Sequence, residues 1–337
     1  MKKKLGVNTI CVHTGEVNDE IYNGAVSPIY PATAYGYSGE GDNAYPRYFN
    51  TPNQAHLAKK IAALEHAEAG LIFGSGMAAI SSAMLSVLKT SDHAIIQNQI
   101  YGGTRNFIKK ELESFHMEYD FVDLNDLKAV DALIKQNTRL IYLETPSNPL
   151  MELVNLEAIS KLAKKHNLLT IADNTFATPI HQRPIDFGID IVVHSATKYL
   201  GGHSDITAGA VATSADLMHP ILLKARNFGG SLADQTTWLL ERSMKTLNLR
   251  VQQQSQNAQA LAEYLDQQDW VKQVFYPGLS SHPQHELAKR QMLGFGGMLS
   301  FELTAEISSK SFLDGLKLIK DVLSLGGVET TILSPAK

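Results

Sequence analysis

A lysine that follows a strand-like run is the residue of this chain best placed for covalent chemistry. Lys198 comes after the apolar run at 189–194 and is flanked by the hydroxyl residues Ser195 and Thr197. A primary amine can condense with an aldehyde, and neighbouring hydroxyls can hold a phosphate group. Upstream, Asp173 ends a second apolar run, and a carboxylate suits a positively charged ring nitrogen. Together these residues offer what pyridoxal phosphate (PLP) requires of a protein.

Each of these residues also has an ordinary interpretation. Taken alone, Lys198 would more often be a solvated surface lysine and Asp173 the cap of a turn. A glycine-rich turn at 74–76 changes that balance. It stands between a strand-like and a helical run, where free N–H groups and the helix dipole favour an anion. The turn lacks both the Gly-Lys-Ser/Thr of a phosphate loop and the spacing of a dinucleotide fingerprint.

Tyr101, Asn148 and His203 are further candidates with open alternatives. Tyr101 stands beside Gly102 and Gly103, which leave its ring open to a planar ligand, or it is a core tyrosine at a tight turn. Asn148 lies in a loop made rigid by two prolines, and either binds a ligand oxygen or forms the turn. His203 could carry a proton, but its His-Ser-Asp run is too local for a catalytic triad. The twelve histidines show no metal-ligand spacing, so we expect no metal site.

The elements that position these residues alternate between strands and helices. Strand-like runs occur at 71–73, 94–97, 119–122, 139–143, 168–172 and 189–193, and helical runs such as 77–88 and 155–166 separate several of them. Short apolar strands between helices indicate an α/β fold with a mostly parallel sheet covered on both faces. Ligands of such sheets bind beyond the carboxyl ends of the strands. Asp173, Asn148 and Lys198 all fall at those ends.

The chain divides into three predicted parts. Residues 1–52 are rich in proline and tyrosine without periodicity, which indicates an arm that packs on something else, such as another subunit. Residues 53–243 contain the alternating elements and form the large domain. A long helical stretch at 234–264 leads into a smaller α/β C-terminal domain at 244–337, with strands at 271–276 and 297–302 and a last helix at 311–323.

Composition restricts the class of protein. The chain has 337 residues, of which 44% are hydrophobic and 19% charged, and a net charge of −4. This charge gives no reason to expect nucleic acid or an anionic membrane as a partner. No signal-length apolar segment follows the basic run at 2–4, and no stretch approaches the ~20 apolar residues of a membrane helix. With one cysteine, Cys11, we expect a soluble protein of the reducing cytoplasm.

Several further motifs extend the pattern along the chain. They are Thr14-Gly15, Val-Ser-Pro-Ile at 26–29, Met-Lys-Thr-Leu-Asn-Leu-Arg at 244–250, Tyr-Pro-Gly-Leu at 276–279 and Gly-Phe-Gly-Gly-Met at 294–298. Together with the lysine in its Ser-x-Thr-Lys-Tyr context, these motifs resemble the PLP-dependent enzymes of cysteine and methionine metabolism. That family includes cystathionine γ-synthase, the cystathionine γ- and β-lyases, methionine γ-lyase and O-acetylhomoserine sulfhydrylase. The resemblance implies the aminotransferase-like (type I) fold.

The resemblance also implies a role for each matching residue. Lys198 would form an imine with PLP and then shuttle protons between substrate carbons, and Asp173 would pair with the ring nitrogen. Tyr101 would stack on the ring and assist protonation of the leaving group. The other matching residues would contact the phosphate or the substrate carboxylate. They are the Gly76 and Met77 amides, Ser195 and Thr197 for the phosphate, Tyr45 and Arg47 for the phosphate of the neighbouring subunit, and Asn148 and Ser324 for the carboxylate.

The implied reaction is transsulfuration, by γ-replacement or by β- or γ-elimination, of the cystathionine γ-synthase or γ-lyase type, in homodimers that pair into a homotetramer. Methionine γ-lyases usually carry a cysteine where this chain has Gly103, and the cystathionine γ enzymes usually carry a glutamate where it has Leu323. Gly103 argues against methionine γ-lyase, and Leu323 cannot pair with the distal ammonium of cystathionine. Methionine γ-lyase, cystathionine β-lyase and O-acetylhomoserine sulfhydrylase remain alternatives within the family. A PLP-binding relative without turnover is the alternative from another class.

Two further departures concern the arm and the end of the chain. The arm motif of the family usually runs Arg-x-x-Asn-Pro-Thr, whereas this chain has Asn-Thr-Pro three residues after Arg47. The family also continues past residues 335–336 into a strand and helix with an arginine that binds the substrate carboxylate. The Ser324 hydroxyl cannot replace such a bidentate, charge-assisted pair. We therefore expect that the sequence as given is incomplete at this end.

Overall fold

The computed structural model describes residues 5–37, 39 and 43–335. The basic run at 2–4 lies outside this described part. A seven-stranded sheet forms the centre of the fold, in the order β1-β7-β6-β5-β4-β2-β3. Its strands are β1 Ala69–Phe73, β2 His93–Gln97, β3 Glu118–Val122, β4 Thr138–Glu144, β5 Leu169–Asp173, β6 Ile191–His194 and β7 Gly209–Thr213.

All neighbouring pairs from β3 to β6 are parallel, and only β7 runs antiparallel to its neighbours β1 and β6. The predicted α/β fold with a mostly parallel sheet is confirmed. β2, β6 and β7 are buried along their whole length, as expected of strands covered on both faces.

Helices cover both faces of the sheet. They are α1 Val7–His13, α2 Pro52–Glu65, α3 Gly76–Val87, α4 Gly102–Phe107, α5 Leu127–Leu133, α6 Leu156–Lys165, α7 Thr178–His181, α8 Ala215–Phe228, α9 Asp234–Met244, α10 Leu247–Leu265, α11 His285–Gln291 and α12 Ser309–Gly315. Val193 packs in a core with α3 and α8, whereas its neighbour Val192 packs in another with α2 and α9. Alternate side chains of one strand thus enter two different cores. Among the described residues, no helix combines the length and apolarity needed to cross a bilayer.

The long helical stretch predicted at 234–264 is two helices, α9 and α10. The interruption falls at Lys245 and Thr246, where the Thr246 hydroxyl donates to the Ser243 carbonyl oxygen at 3.1 Å. Such local side-chain bonds compete with the helical pattern. The Arg250 guanidinium donates to the same carbonyl at 2.9 Å.

The C-terminal part contains two small sheets. β8 Val271–Phe275 pairs antiparallel with β9 Ser300–Leu303, and β10 Lys320–Asp321 pairs in parallel with β11 Thr331–Ile332. The last helix, predicted at 311–323, instead ends at Gly315. Leu318 and Leu323 beyond it are 86% and 78% exposed, so continuing the helix would bury no apolar face.

Candidate active site

A cavity of about 1120 Å³ opens at the carboxyl ends of β4, β5 and β6. The pairing of β4 with β5 sets Glu144 directly beside Asp173, and the pairing of β5 with β6 brings the turn after His194 to the same edge. All of the candidate site residues except Tyr45, Arg47 and His203 line this cavity. They are Gly76, Met77, Tyr101, Asn148, Asp173, Ser195, Thr197, Lys198 and Ser324.

Lys198 lies in the turn after β6, with its amine in the cavity. Its Nζ donates a hydrogen bond to the Ser324 hydroxyl at 2.8 Å, and burial lowers the pKa of the amine. Ser324 has a φ of +93°, in the left-handed region. Gly326 packs directly on the lysine backbone: a Cβ at that position would lie 2.6 Å from the Tyr199 nitrogen. The segment 324–326 thus fits closely against the lysine turn and accepts a hydrogen bond from its amine.

Asp173 is a buried carboxyl group, 5% exposed. One of its oxygens accepts from the Thr175 amide at 3.0 Å, and the Thr175 hydroxyl accepts from the Ser195 amide at 2.8 Å. Thr175 therefore ties Asp173 to the turn that carries Lys198. Burial raises the pKa of Asp173, with smaller opposing effects from Thr175 and His194. A cation beside this carboxyl group would offset the cost of burying its charge.

The start of α3 is where the sequence predicts an anion site. The Ser75 hydroxyl caps the helix by accepting from the Ala78 amide at 3.1 Å, while the amides of Gly76 and Met77 lie in the first turn, where amides have no intrahelical acceptor. A Cβ on Gly76 would lie 2.8 Å from the Ser195 Cβ, so only a glycine allows this close approach. The amides of Gly76 and Met77 and the hydroxyl of Ser195 thus lie at one corner of the cavity.

The Thr197 hydroxyl has a different set of partners from the one expected. It donates to the Ala208 carbonyl at 3.2 Å and accepts from the Ala208 amide at 3.0 Å. In this arrangement the Thr197 hydroxyl links the turn that carries Lys198 to Ala208, directly before β7. Its contact with a phosphate stays a prediction.

Glu144 joins two loops of the cavity, which the sequence did not reveal. One oxygen accepts from the Tyr101 amide at 2.7 Å and the other from the Asn148 amide at 3.1 Å. The Tyr101 ring is half exposed and folds over Gly103, where a Cβ would lie 2.4 Å from the ring carbon Cε1. The only sequence signal for Glu144 was its place at the end of a strand. Thr175 was missed as well, although it lies two residues after Asp173.

Tyr45 and Arg47 lie away from the cavity of their own chain. Arg47 donates to the Arg226 carbonyl at 2.8 Å, and its guanidinium carbon lies 5.1 Å from the centre of the Tyr48 ring. His203 is not at the site either, since its Nδ1 lies 2.9 Å from the Gly201 carbonyl oxygen and it does not line the cavity. The structure thus gives no support to His203 as a proton carrier.

The cavity offers the groups that PLP needs. An amine can take the aldehyde, a buried carboxyl group can face the ring nitrogen, a helix start can hold the phosphate and an exposed tyrosine can cover the ring. Within residues 5–37, 39 and 43–335, no cluster of His, Cys, Asp or Glu side chains has the arrangement of a metal site.

Sequence and structure relatives agree with this assignment. The family model described as Cys/Met metabolism PLP-dependent enzyme matches residues 8–337. Cystathionine β-lyase of Lactococcus lactis subsp. cremoris (strain MG1363) is 46% identical over 335 residues, which cover 98% of this chain and 87% of the relative. Cystathionine γ-lyase of Bacillus subtilis (strain 168) is 43% identical over 341 residues, covering 100% and 88%. The crystal structure of cystathionine γ-lyase from Lactobacillus plantarum complexed with L-serine has a TM-score of 0.95 at 42% identity, covering 98% and 87%.

The anion site predicted at the start of α3 can be tested at Gly76. In Gly76→Ala the new methyl group overlaps Ser195, so helix start and hydroxyl move apart, and we expect the Kd for PLP to rise about tenfold, the size of a typical overpacking cost. The measurement is a titration of the apoenzyme with PLP. Gly74→Ala is the matched control, because its Cβ would meet nothing closer than 3.4 Å. Equal affinities in the two variants would contradict the assignment.

Proposed function

We propose, from the premise that this chain belongs to the Cys/Met metabolism PLP-dependent enzymes, that it is a carbon–sulfur lyase that acts on cystathionine. Membership establishes PLP as the cofactor, the type I fold and the chemistry of sulfur amino acids. One observation carries the proposal. The Lys198 amine, held by Ser324, and the buried carboxyl group of Asp173 line the same cavity.

Bound PLP supplies an aldehyde for the amine and a ring that takes up the electron pair left when a proton departs from the substrate α-carbon. The Lys198 Nζ is the base for that proton, because burial lowers its pKa and so favours the neutral form that can accept it. Ser324 orients the amine through the bond that it accepts. The same Nζ then returns a proton at the carbon or sulfur that loses its bond.

The other residues bind and orient. Asp173 would hold the ring nitrogen in its protonated form, since a buried carboxyl group gains most from a cation at close range. The phosphate would lie at the start of α3, against Ser195 and Thr197. Tyr101 would cover the ring, and Asn148 with Ser324 would lie near the substrate carboxylate.

The choice of elimination over replacement rests on the relatives, whereas the distal part of the cavity bears on the choice of substrate. Leu323 lines it with an apolar side chain where the cystathionine γ enzymes usually have a glutamate for the distal ammonium. The relatives with the highest identities described above are lyases. Gly103 argues against methionine γ-lyase, but Leu323 favours an uncharged thioether. Elimination from methionine is therefore the second candidate.

The products test the reaction. With cystathionine we expect a keto acid, ammonia and a thiol in equal amounts, because elimination adds one water and breaks one carbon–sulfur and one carbon–nitrogen bond. Pyruvate with homocysteine identifies β-elimination, and 2-oxobutyrate with cysteine identifies γ-elimination. Methionine is assayed in parallel, and faster turnover of methionine would establish the second candidate. Formation of cystathionine from an O-acylhomoserine and cysteine, without keto acid, would contradict the lyase proposal.

The arm supports a proposal about assembly. Arg47 and Tyr45 lie outside the cavity of their own chain, and Ile21, Tyr22 and Tyr37 are more than four-fifths exposed. Large apolar side chains in an arm without its own core are typical of a subunit contact. We propose that Tyr45 and Arg47 reach the phosphate site of a neighbouring subunit, in a homodimer that pairs into a homotetramer in the cytoplasm.

Mixed oligomers test the shared site. Lys198→Ala and Arg47→Ala should each have little activity, but co-expressed together they should regain it, because one site of a mixed dimer combines an intact Lys198 with the partner's intact arm. Lys198→Ala with Asp173→Asn is the control pair: both residues belong to one subunit's cavity, so no mixed site is intact. If the first pair forms mixed oligomers that stay as inactive as the control, the arm does not complete the neighbouring site.

A further inference from the structure

A buried carboxyl group at the end of β4 makes contacts that the proposed reaction does not use. Glu144 is 4% exposed and lines the cavity. Its oxygens accept from the amides of Tyr101 and Asn148, at 2.7 and 3.1 Å. Its own amide donates to the Gln97 side chain at 2.8 Å, which fixes the strand end below it. One side chain therefore holds the loops after two different strands.

Keeping a carboxyl group at this position is costly. Asp173 is its direct neighbour across the β4–β5 pair, and both groups are buried. Burial and the proximity of Asp173 raise the pKa of Glu144 to about 8, so the pair resists carrying two full negative charges near neutral pH. An apolar side chain would avoid this cost but would leave two amides without an acceptor.

We propose that Glu144 is a positioning residue that sets the Tyr101 ring and the Asn148 loop for the cofactor and the substrate. Tyr101 has no side-chain cap at the start of α4, and Glu144 accepts from its backbone amide. The inference rests on the proposed function in one respect, namely that Tyr101 covers the PLP ring.

A double-mutant cycle separates this role from a general structural one. The first variant is Glu144→Leu, which keeps much of the side-chain volume and removes both acceptor oxygens. The second variant is Tyr101→Ala. The readouts are the Kd of PLP for the apoenzyme and the visible circular dichroism of the bound cofactor. If Glu144 acts through the ring, its loss should raise the Kd about tenfold with Tyr101 present and less than about twofold without it.

Two further variants complete the design. Glu144→Gln keeps one acceptor, so its Kd should fall between those of the wild type and Glu144→Leu; it also replaces Glu144→Leu in the cycle should the latter not fold. Glu152→Leu is the matched control. Glu152 lies on the same loop as Asn148 and accepts from the Gln99 side chain at 2.8 Å, but it does not line the cavity. Its Kd and dichroism should match the wild type.

An additive cycle, in which the loss of Glu144 costs the same with and without Tyr101, would overturn the inference, as would equal effects of the variants at 144 and 152. Failure of the proposed function has a different signature, because the wild type itself would then bind no PLP. Binding by the wild type together with an additive cycle would remove the role of Glu144 alone.

Discussion

The register of three parallel strands is the constraint on which this site depends. Because β4, β5 and β6 pair in parallel, their carboxyl ends meet at one edge, and Glu144, Asp173 and the turn of Lys198 arrive there together. A shift of one residue in any pair would turn the end residue to the opposite face of the sheet. The cores on both faces prevent such a shift, since Val192 and Val193 each fill a different one.

The electrostatics of the site follow from that convergence. Two carboxyl groups lie side by side in a buried setting that raises both pKa values, while burial lowers the pKa of the Lys198 amine in the same cavity. All three shifts favour neutral forms, so the site is prepared for a ligand that brings its own charges. A protonated ring nitrogen would stabilise Asp173 as an anion, and a phosphate would be stabilised by the start of α3.

The sequence predicted the residues whose role depends on local structure. Lys198, Asp173 and Gly76 each stand where a strand ends or a helix begins, and those signals need only a few neighbouring residues. The sequence did not indicate a role for Glu144, because its function as an acceptor depends on Tyr101, which is distant along the chain. The end of α12 was predicted wrongly since helical periodicity cannot show whether Leu318 has anything to pack against. The domain boundaries and the roles of all the site residues stay predictions. Those of Tyr45 and Arg47 also concern a second subunit, which a single chain does not contain.

The central claim is a covalent link between PLP and one amine, and mapping that link tests it most directly. The loaded protein is reduced with borohydride, digested and analysed by mass spectrometry. We expect one pyridoxyl group, on Lys198, because its amine lines the cavity, whereas the fully buried Lys60 amine is held by the Cys11 carbonyl and Glu241. A pyridoxyl group on any other lysine, or none at all, would contradict the account.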